Sequence, residues 1–158
     1  MDANATRHYQ QQAIMTASPA QLVAMLYERA IKALHDATEA IQAGDIERRC
    51  TENKKAVEII AHLAMTLDVE RGGQIAENLQ HLYRFMLQQL VNVDVRNDPK
   101  PARDVIALLE PLRDSWQELA KGQQPSAQAL KAQPAASGAN QDGPVDPTAK
   151  AGNIAISA

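Results

Sequence analysis

The chain has 158 residues, a formal net charge of −3, 45% apolar residues and only 3% aromatic residues. The mild acidic balance argues against electrostatic binding to nucleic acid or to a membrane surface. A single cysteine excludes an intramolecular disulfide, and no apolar run reaches the roughly 20 residues of a membrane span, so a cytoplasmic protein is expected.

Residues 1–17 are predicted to form an N-terminal cap segment with a short helix around Tyr9–Met15. A long helix then begins at Ser18, Pro19 and Gln21. These residues supply an N-cap, a favoured first helical residue and the second half of a capping box. Gly44 is the expected end of this helix, because glycine readily adopts the left-handed conformation that ends helices.

Three further helices are predicted. Asp45 caps a second helix that runs to about Leu67, and the Gly72-Gly73 pair interrupts the chain before a third helix over 74–92. A polar loop with two prolines over 94–101 precedes a fourth helix over 102–121. Four helices with short connections predict an all-α fold, an antiparallel up-down four-helix bundle formed by residues 18–121.

The last segment, residues 122–158, has a different composition. Gly, Pro, Ala, Ser and Gln supply 26 of its 37 residues, and only four large apolar side chains occur in it. Such a composition buries too little apolar surface to offset the entropy lost on ordering, so a disordered tail is predicted.

Apolar periodicity predicts one core stripe on each long helix. The predicted core comprises Leu22, Val23, Leu26, Ala30, Ala33, Leu34, Ala37 and Ile41; Ile46, Cys50, Val57, Ile60, Ala61, Ala64 and Leu67; Ile75, Leu79, Leu82, Met86, Leu90 and Val93; and Val105, Leu109, Leu112, Trp116 and Leu119.

More apolar side chains are present than these stripes use. Ile59 and Leu63 form a row beside the stripe of the second helix, and Tyr83 and Leu87 lie to one side of the third. An exposed apolar strip usually marks a binding surface and suits an amphipathic partner helix. An alternative is that broad helix faces simply pack against two neighbours each.

No pattern in the sequence indicates catalysis, a cofactor or a metal. The pairs Glu58–His62 and Glu77–His81 have i, i+4 spacing and fall outside the core stripes, whereas dimetal bundles use inward-facing Glu-x-x-His. We therefore expect a binding protein without a cofactor rather than an enzyme.

Three motifs resemble the flagellar secretion chaperones of the FliS family. They are SPAQLVAMLY at 18–27, LDVERGGQIAENL at 67–79 followed by Leu82-Tyr83, and LRDSW at 112–116. Tyr9, followed closely by a Thr-Ala-Ser-Pro segment, also fits. The resemblance covers roughly residues 7–120, in the family's order and spacing.

The resemblance implies a cytoplasmic helical bundle that binds the disordered C-terminal segment of flagellin, prevents its premature polymerisation and helps deliver it to export gate components. It also implies that the N-terminal segment can cover part of the binding surface in the free chaperone. On the surplus apolar faces, the candidate contacts are Ile59, Leu63, Tyr83 and Leu87, with Tyr9 near them and with Tyr27 and Ile31 as further members.

The chief alternative is a structural or regulatory bundle that self-associates through the same strip. The sequence is compatible with a monomer or a weak homodimer, and no nucleic-acid or membrane partner is expected.

Overall fold

A computed structural model describes residues 3–122, which form five α-helices and no strand. They are α1 (Ala3–Thr16), α2 (Pro19–Ala43), α3 (Ile46–Met65), α4 (Val69–Arg96) and α5 (Lys100–Ala120). The all-α prediction is confirmed. The predicted disordered tail, apart from Gly122, lies outside the described residues.

The capping residues read from the sequence set the helix ends. The Ser18 amide donates to Gln21 Oε1 at 2.7 Å and the Gln21 amide to Ser18 Oγ at 3.2 Å, which completes the capping box. Gly44 ends α2 with a φ of 71°. This left-handed conformation is sterically unfavourable for residues with a Cβ atom and is readily adopted by glycine. Asp45 then accepts from the Arg48 amide at 2.9 Å and begins α3.

The Gly72-Gly73 break is present, although hydrogen bonding continues around it. Gly73 has a φ of 51° and a ψ of −135°, so α4 is kinked there, and its regular part starts near the predicted Gln74. The predicted loop over 94–101 was too long. Residues up to Arg96 continue α4, Asn97 ends it at a φ of 51°, and Pro101 fits inside the first turn of α5, where its missing N–H is not needed.

The four long helices pack in a ring. α2 contacts α3 and α5, and α4 contacts the same two helices from the opposite side. Because the connections are only a few residues long, each helix runs antiparallel to the next, which confirms the up-down bundle. The contacts of α2 with α3 and α5 are more extensive than those of α4 with the same two helices. Of the four long helices, α4 is therefore the least covered by its neighbours.

The core is broader on α2 and α4 than one stripe predicts. Tyr27, Ile31 and Tyr83 are buried although they lie off the predicted stripes. Conversely, four predicted core residues are exposed: Leu22, Ile46, Cys50 and Ile75. Leu22, Ile46 and Ile75 lie in the first turns of their helices or next to the kink at Gly73, where neighbouring helices no longer cover them, and Cys50 lies on a flank of α3.

α1 contributes nothing to this core. All described side chains from residue 4 to residue 16 are exposed, including Tyr9 at 76%. The helix is longer than the short helix predicted around Tyr9–Met15, and its side chains do not cover an apolar face of the bundle. The expectation that Tyr9 lies against the candidate surface in the free chain is therefore not met in this conformation.

Candidate functional site

Two of the candidate contacts, Tyr27 and Tyr83, meet in the middle of the bundle. Their exposed fractions are 0% and 1%, and their hydroxyl groups share a hydrogen bond between α2 and α4. Burial raises the pKa of Tyr27 to about 12, and burial together with the Tyr27 hydroxyl raises the pKa of Tyr83 further. The Trp116 indole nitrogen is buried beside Tyr27 and meets no acceptor with hydrogen-bond geometry.

Ile31 and Leu63 are also core residues, each only 6% exposed. The prediction that Ile31, Leu63, Tyr27 and Tyr83 lie on an exposed strip was therefore wrong. The physical reason is the ring arrangement. Each helix packs against two neighbours, and its buried face is wider than a stripe drawn for one partner.

The other two bundle candidates, Ile59 and Leu87, are partly buried against the edge of the core. Ile59 lies on the flank of α3 that faces α2, the side on which Arg48 Nη2 pairs with Asp36 at 3.6 Å and Glu39 at 3.5 Å. Leu87 lies on the flank of α4 that faces α3. The two residues therefore do not line one common groove.

A partly buried polar network joins the start of α3 to the end of α4, with Arg49 and Asn53 buried and Asp94 and Asn97 exposed. Arg49 Nε lies 3.3 Å from Asp94 Oδ1, and Arg49 Nη1 donates to Asn97 Oδ1 at 2.5 Å. Asn53 Nδ2 donates to the Leu90 carbonyl at 2.9 Å and to Asp94 Oδ2 at 2.8 Å. These bonds fix the register of the two helices and identify which flank of each faces the other.

An apolar strip runs along this pair of helices on its solvent side. An α-helix turns by about 100° per residue, so residues spaced by four advance slowly around one flank. On α4 this places Leu87, Val91 and Val95 together beside Asp94. We call the following set the α3–α4 strip: Ile46, Cys50, Val57, Leu87, Val91 and Val95.

The strip is accessible. Ile46, Val91 and Val95 are 62%, 59% and 75% exposed, Cys50 is also exposed, and Val57 and Leu87 are partly buried beneath them. Ile75 and Phe85, the remaining exposed large apolar side chains of α4, point to other sides of the helix. The strip is the arrangement expected of a surface that receives the apolar face of a partner.

The strip was not predicted from the sequence, because Ile46, Cys50 and Val57 were assigned to the core, and Val91, although off the core stripe of the third helix, was not among the candidate contacts. A usable signal was present. Leu87, Val91 and Val95 repeat every four residues, which on a helix of this length defines a second apolar row beside the core stripe.

Other kinds of site find no support in the part of the chain that the structure describes. No three His, Cys, Asp or Glu side chains come together there as a metal site. Among those same residues, no helix is long and apolar enough to cross a bilayer.

Comparison with known proteins agrees with this helical architecture. The family model described as flagellar protein FliS matches residues 2–123. A flagellar secretion chaperone FliS of Salmonella typhimurium is 37% identical over 108 residues, which cover 68% of this chain and 80% of the relative. That of Bacillus subtilis is 32% identical over 110 residues, covering 70% and 81%.

A solved structure described as a flagellar chaperone from bacteria has the same fold. It superposes with a TM-score of 0.62 at 21% identity and covers 78% of this chain and 100% of its own. The family match over residues 2–123 and the curated relatives identify the sequence family, and the solved structure supports the fold. The chain therefore belongs to the FliS family of flagellar secretion chaperones.

Proposed function

We propose that this export chaperone binds the C-terminal segment of flagellin in the cytoplasm, with the α3–α4 strip as the principal contact. The observation that carries the proposal is the row of exposed apolar side chains on the solvent side of α3 and α4, in a family of secretion chaperones. An amphipathic helix of the partner lies along the strip and buries its own apolar face there.

The energetics favour a partner that wraps around the bundle. Covering Ile46, Val91 and Val95 contributes roughly 1 kcal/mol each, since they are already partly covered. A disordered segment that folds on binding loses several kcal/mol in ordering. The strip alone would therefore bind weakly, and further contacts along the bundle are needed for tight sequestration.

The seven sequence-based candidates take different parts in this proposal. Leu87 lines the strip directly, and Ile59 packs on the opposite flank of α3. Tyr27, Ile31, Leu63 and Tyr83 act from beneath, by holding the helices that carry the strip. Tyr9 is free to contact the bound segment because α1 leaves it exposed.

Mechanistically, the chaperone acts by sequestration. The bound segment is removed from the pool that can polymerise, and mass action keeps flagellin unassembled until it reaches export gate components. The proposal includes no catalytic step and no cofactor.

The test is titration calorimetry of a flagellin C-terminal fragment against the Val91→Asp/Val95→Asp double variant. Two carboxylates on the strip would have to be desolvated by the partner, so we expect affinity to fall at least tenfold. Met65→Asp is the matched control, because Met65 is 85% exposed at the far end of α3 and outside the strip. Both variants should retain the wild-type melting temperature within a few degrees, since neither changes a buried side chain.

Equal affinity for wild type and the double variant would place the partner elsewhere. Self-association through the strip is the competing outcome. Light scattering would then show that the wild-type chain is a dimer and that the Val91→Asp/Val95→Asp variant is a monomer. Adding the flagellin fragment would not dissociate the wild-type dimer.

A further inference from the structure

A second surface feature lies between the end of α1, the start of α2 and the end of α5, away from the α3–α4 strip. It is an open cleft of about 550 Å³. Half of its ten lining residues are apolar, namely Ala13, Ala17, Ala24, Met25 and Ala120, and the other half are polar or charged. None of these residues belongs to the α3–α4 strip.

One wall of the cleft is held by a hydrogen bond between helices. Gln117 Nε2 of α5 donates to Glu28 Oε1 of α2 at 2.5 Å. This bond pairs two of the polar side chains that line the cleft. The alanine methyl groups and the Met25 side chain form the apolar part of the cleft. The apolar part of the cleft can therefore receive small-to-medium aliphatic side chains.

The chain itself leaves the described structure beside this cleft. Ala120 and Lys121 line it, and Gly122 turns the backbone with a φ of 72° while its amide donates to the Leu119 carbonyl at 3.0 Å. Residues 123–158 follow, and the FliS family match ends at residue 123. An occupant supplied by these residues would be a property of this chain outside the matched family region.

We propose that the chain's own C-terminal residues occupy the cleft, with Ile154 and Ile156 as the anchoring side chains. Beyond Gly122 the large apolar residues are Leu130, Val145, Ile154 and Ile156, and the two isoleucines alone lie within three residues of each other. The intervening residues, 123–153, can span roughly 100 Å when extended, so reach is not limiting. Docking within one chain also acts at an effective concentration in the millimolar range, which compensates for a small contact.

The test uses methyl NMR of the full chain labelled at methionine. Met25 lies in the cleft, while Met86 is buried in the core and Met65 is exposed at the end of α3. We expect Ile154→Asp/Ile156→Asp to shift the Met25 methyl signal to a new position, because the docked side chains leave. The matched control, Leu130→Asp/Val145→Asp, adds the same charge to the same segment and should leave Met25 unchanged. Met86 should be unchanged in both, which reports an intact core.

Three results would overturn the proposal. The first is an unchanged Met25 signal in the isoleucine variant, and the second is an equal shift in the control. The third is a Met25 shift that depends on protein concentration, since this would show the segment of a second copy in the cleft. Flagellin binding at the α3–α4 strip is a separate property, so either proposal can fail without the other.

Discussion

At the scale of single residues, the Tyr27–Tyr83 pair shows how burial and hydrogen bonding are balanced. Both hydroxyl groups are removed from water, and each is the other's hydrogen-bond partner. A buried polar group costs little when it is paired and about 1–3 kcal/mol when it is not. The sequence indicates two tyrosines near the core stripes. It does not indicate that Tyr27 on α2 and Tyr83 on α4 face each other in the core.

Replacing one tyrosine should therefore cost more than the loss of one hydroxyl suggests. We expect Tyr83→Phe to lower the free energy of unfolding by about 1–3 kcal/mol, because the Tyr27 hydroxyl loses its partner. The Tyr27→Phe/Tyr83→Phe double variant should be less destabilised than the two single variants added together. Urea unfolding of the three variants forms a double-mutant cycle, and strictly additive values would contradict the pairing.

The same pair predicts a loss of stability at alkaline pH. Burial raises the pKa of Tyr27 from 10.0 to about 12, and that of Tyr83 is raised as well. The folded state therefore holds these protons more tightly than the unfolded state. The resulting stabilisation is complete below pH 10 and is lost as the pH rises toward 12.

The measurement is the difference in unfolding free energy between wild type and the double phenylalanine variant, because all other ionisable groups are common to the two proteins and their contributions cancel. Above pH 10 the difference should fall by at least about 1.4 kcal/mol per pH unit. A difference that is constant between pH 9 and pH 12 would show that the tyrosines ionise freely.

At the scale of helices, the Arg49–Asp94 network fixes α3 against α4. Arg49 is almost fully buried and Asp94 is 41% exposed. Asp94→Ala removes the carboxylate and one acceptor of Asn53, so we expect stability to fall by about 2 kcal/mol. Asp104→Ala is the control, because its partner Lys100 is 73% exposed and such surface pairs contribute about 0–1 kcal/mol. Similar losses in the two variants, measured by thermal unfolding, would mean that the network does not stabilise the helix pair.

The separation of α1 from the bundle gives a second prediction at this scale. Deleting residues 2–16 removes no described buried side chain and keeps the Ser18 cap of α2. The melting temperature should therefore change by no more than a few degrees, and alkylation of Cys50 should proceed at the wild-type rate. Faster alkylation in the shortened chain would show that α1 covers the α3–α4 strip in solution.

Helix ends were easier to predict than helix faces. Ser18, Gly44 and Asp45 act through backbone bonds within a few residues, so their effect is local and readable from the sequence. Which flank of α3 or α4 is covered depends on neighbours that are distant in sequence. This is why Leu63 and Tyr83 were assigned to the surface and Ile46 and Cys50 to the core.

For the whole molecule, the resemblance of three motifs and the apolar periodicity were sufficient to predict a four-helix secretion chaperone. They were not sufficient to locate its contact surface. Surplus apolar side chains are present on α3 and α4, but those exposed on the α3–α4 strip are Ile46, Val91 and Val95 rather than Ile59, Leu63, Tyr83 and Leu87. Since α4 is the least covered helix of the ring, its free flank is where a wrapping partner gains the most area.

The most direct test of the flagellin-binding proposal uses Cys50, the only cysteine of the chain and a member of the α3–α4 strip. Its alkylation rate is measured with and without saturating flagellin C-terminal fragment. We expect the fragment to slow alkylation at least tenfold in wild type, and by a clearly smaller factor in the Val91→Asp/Val95→Asp variant at the same concentration, because its affinity is lower. A fragment that binds tightly while Cys50 reacts at its free rate would contradict the assignment of the strip.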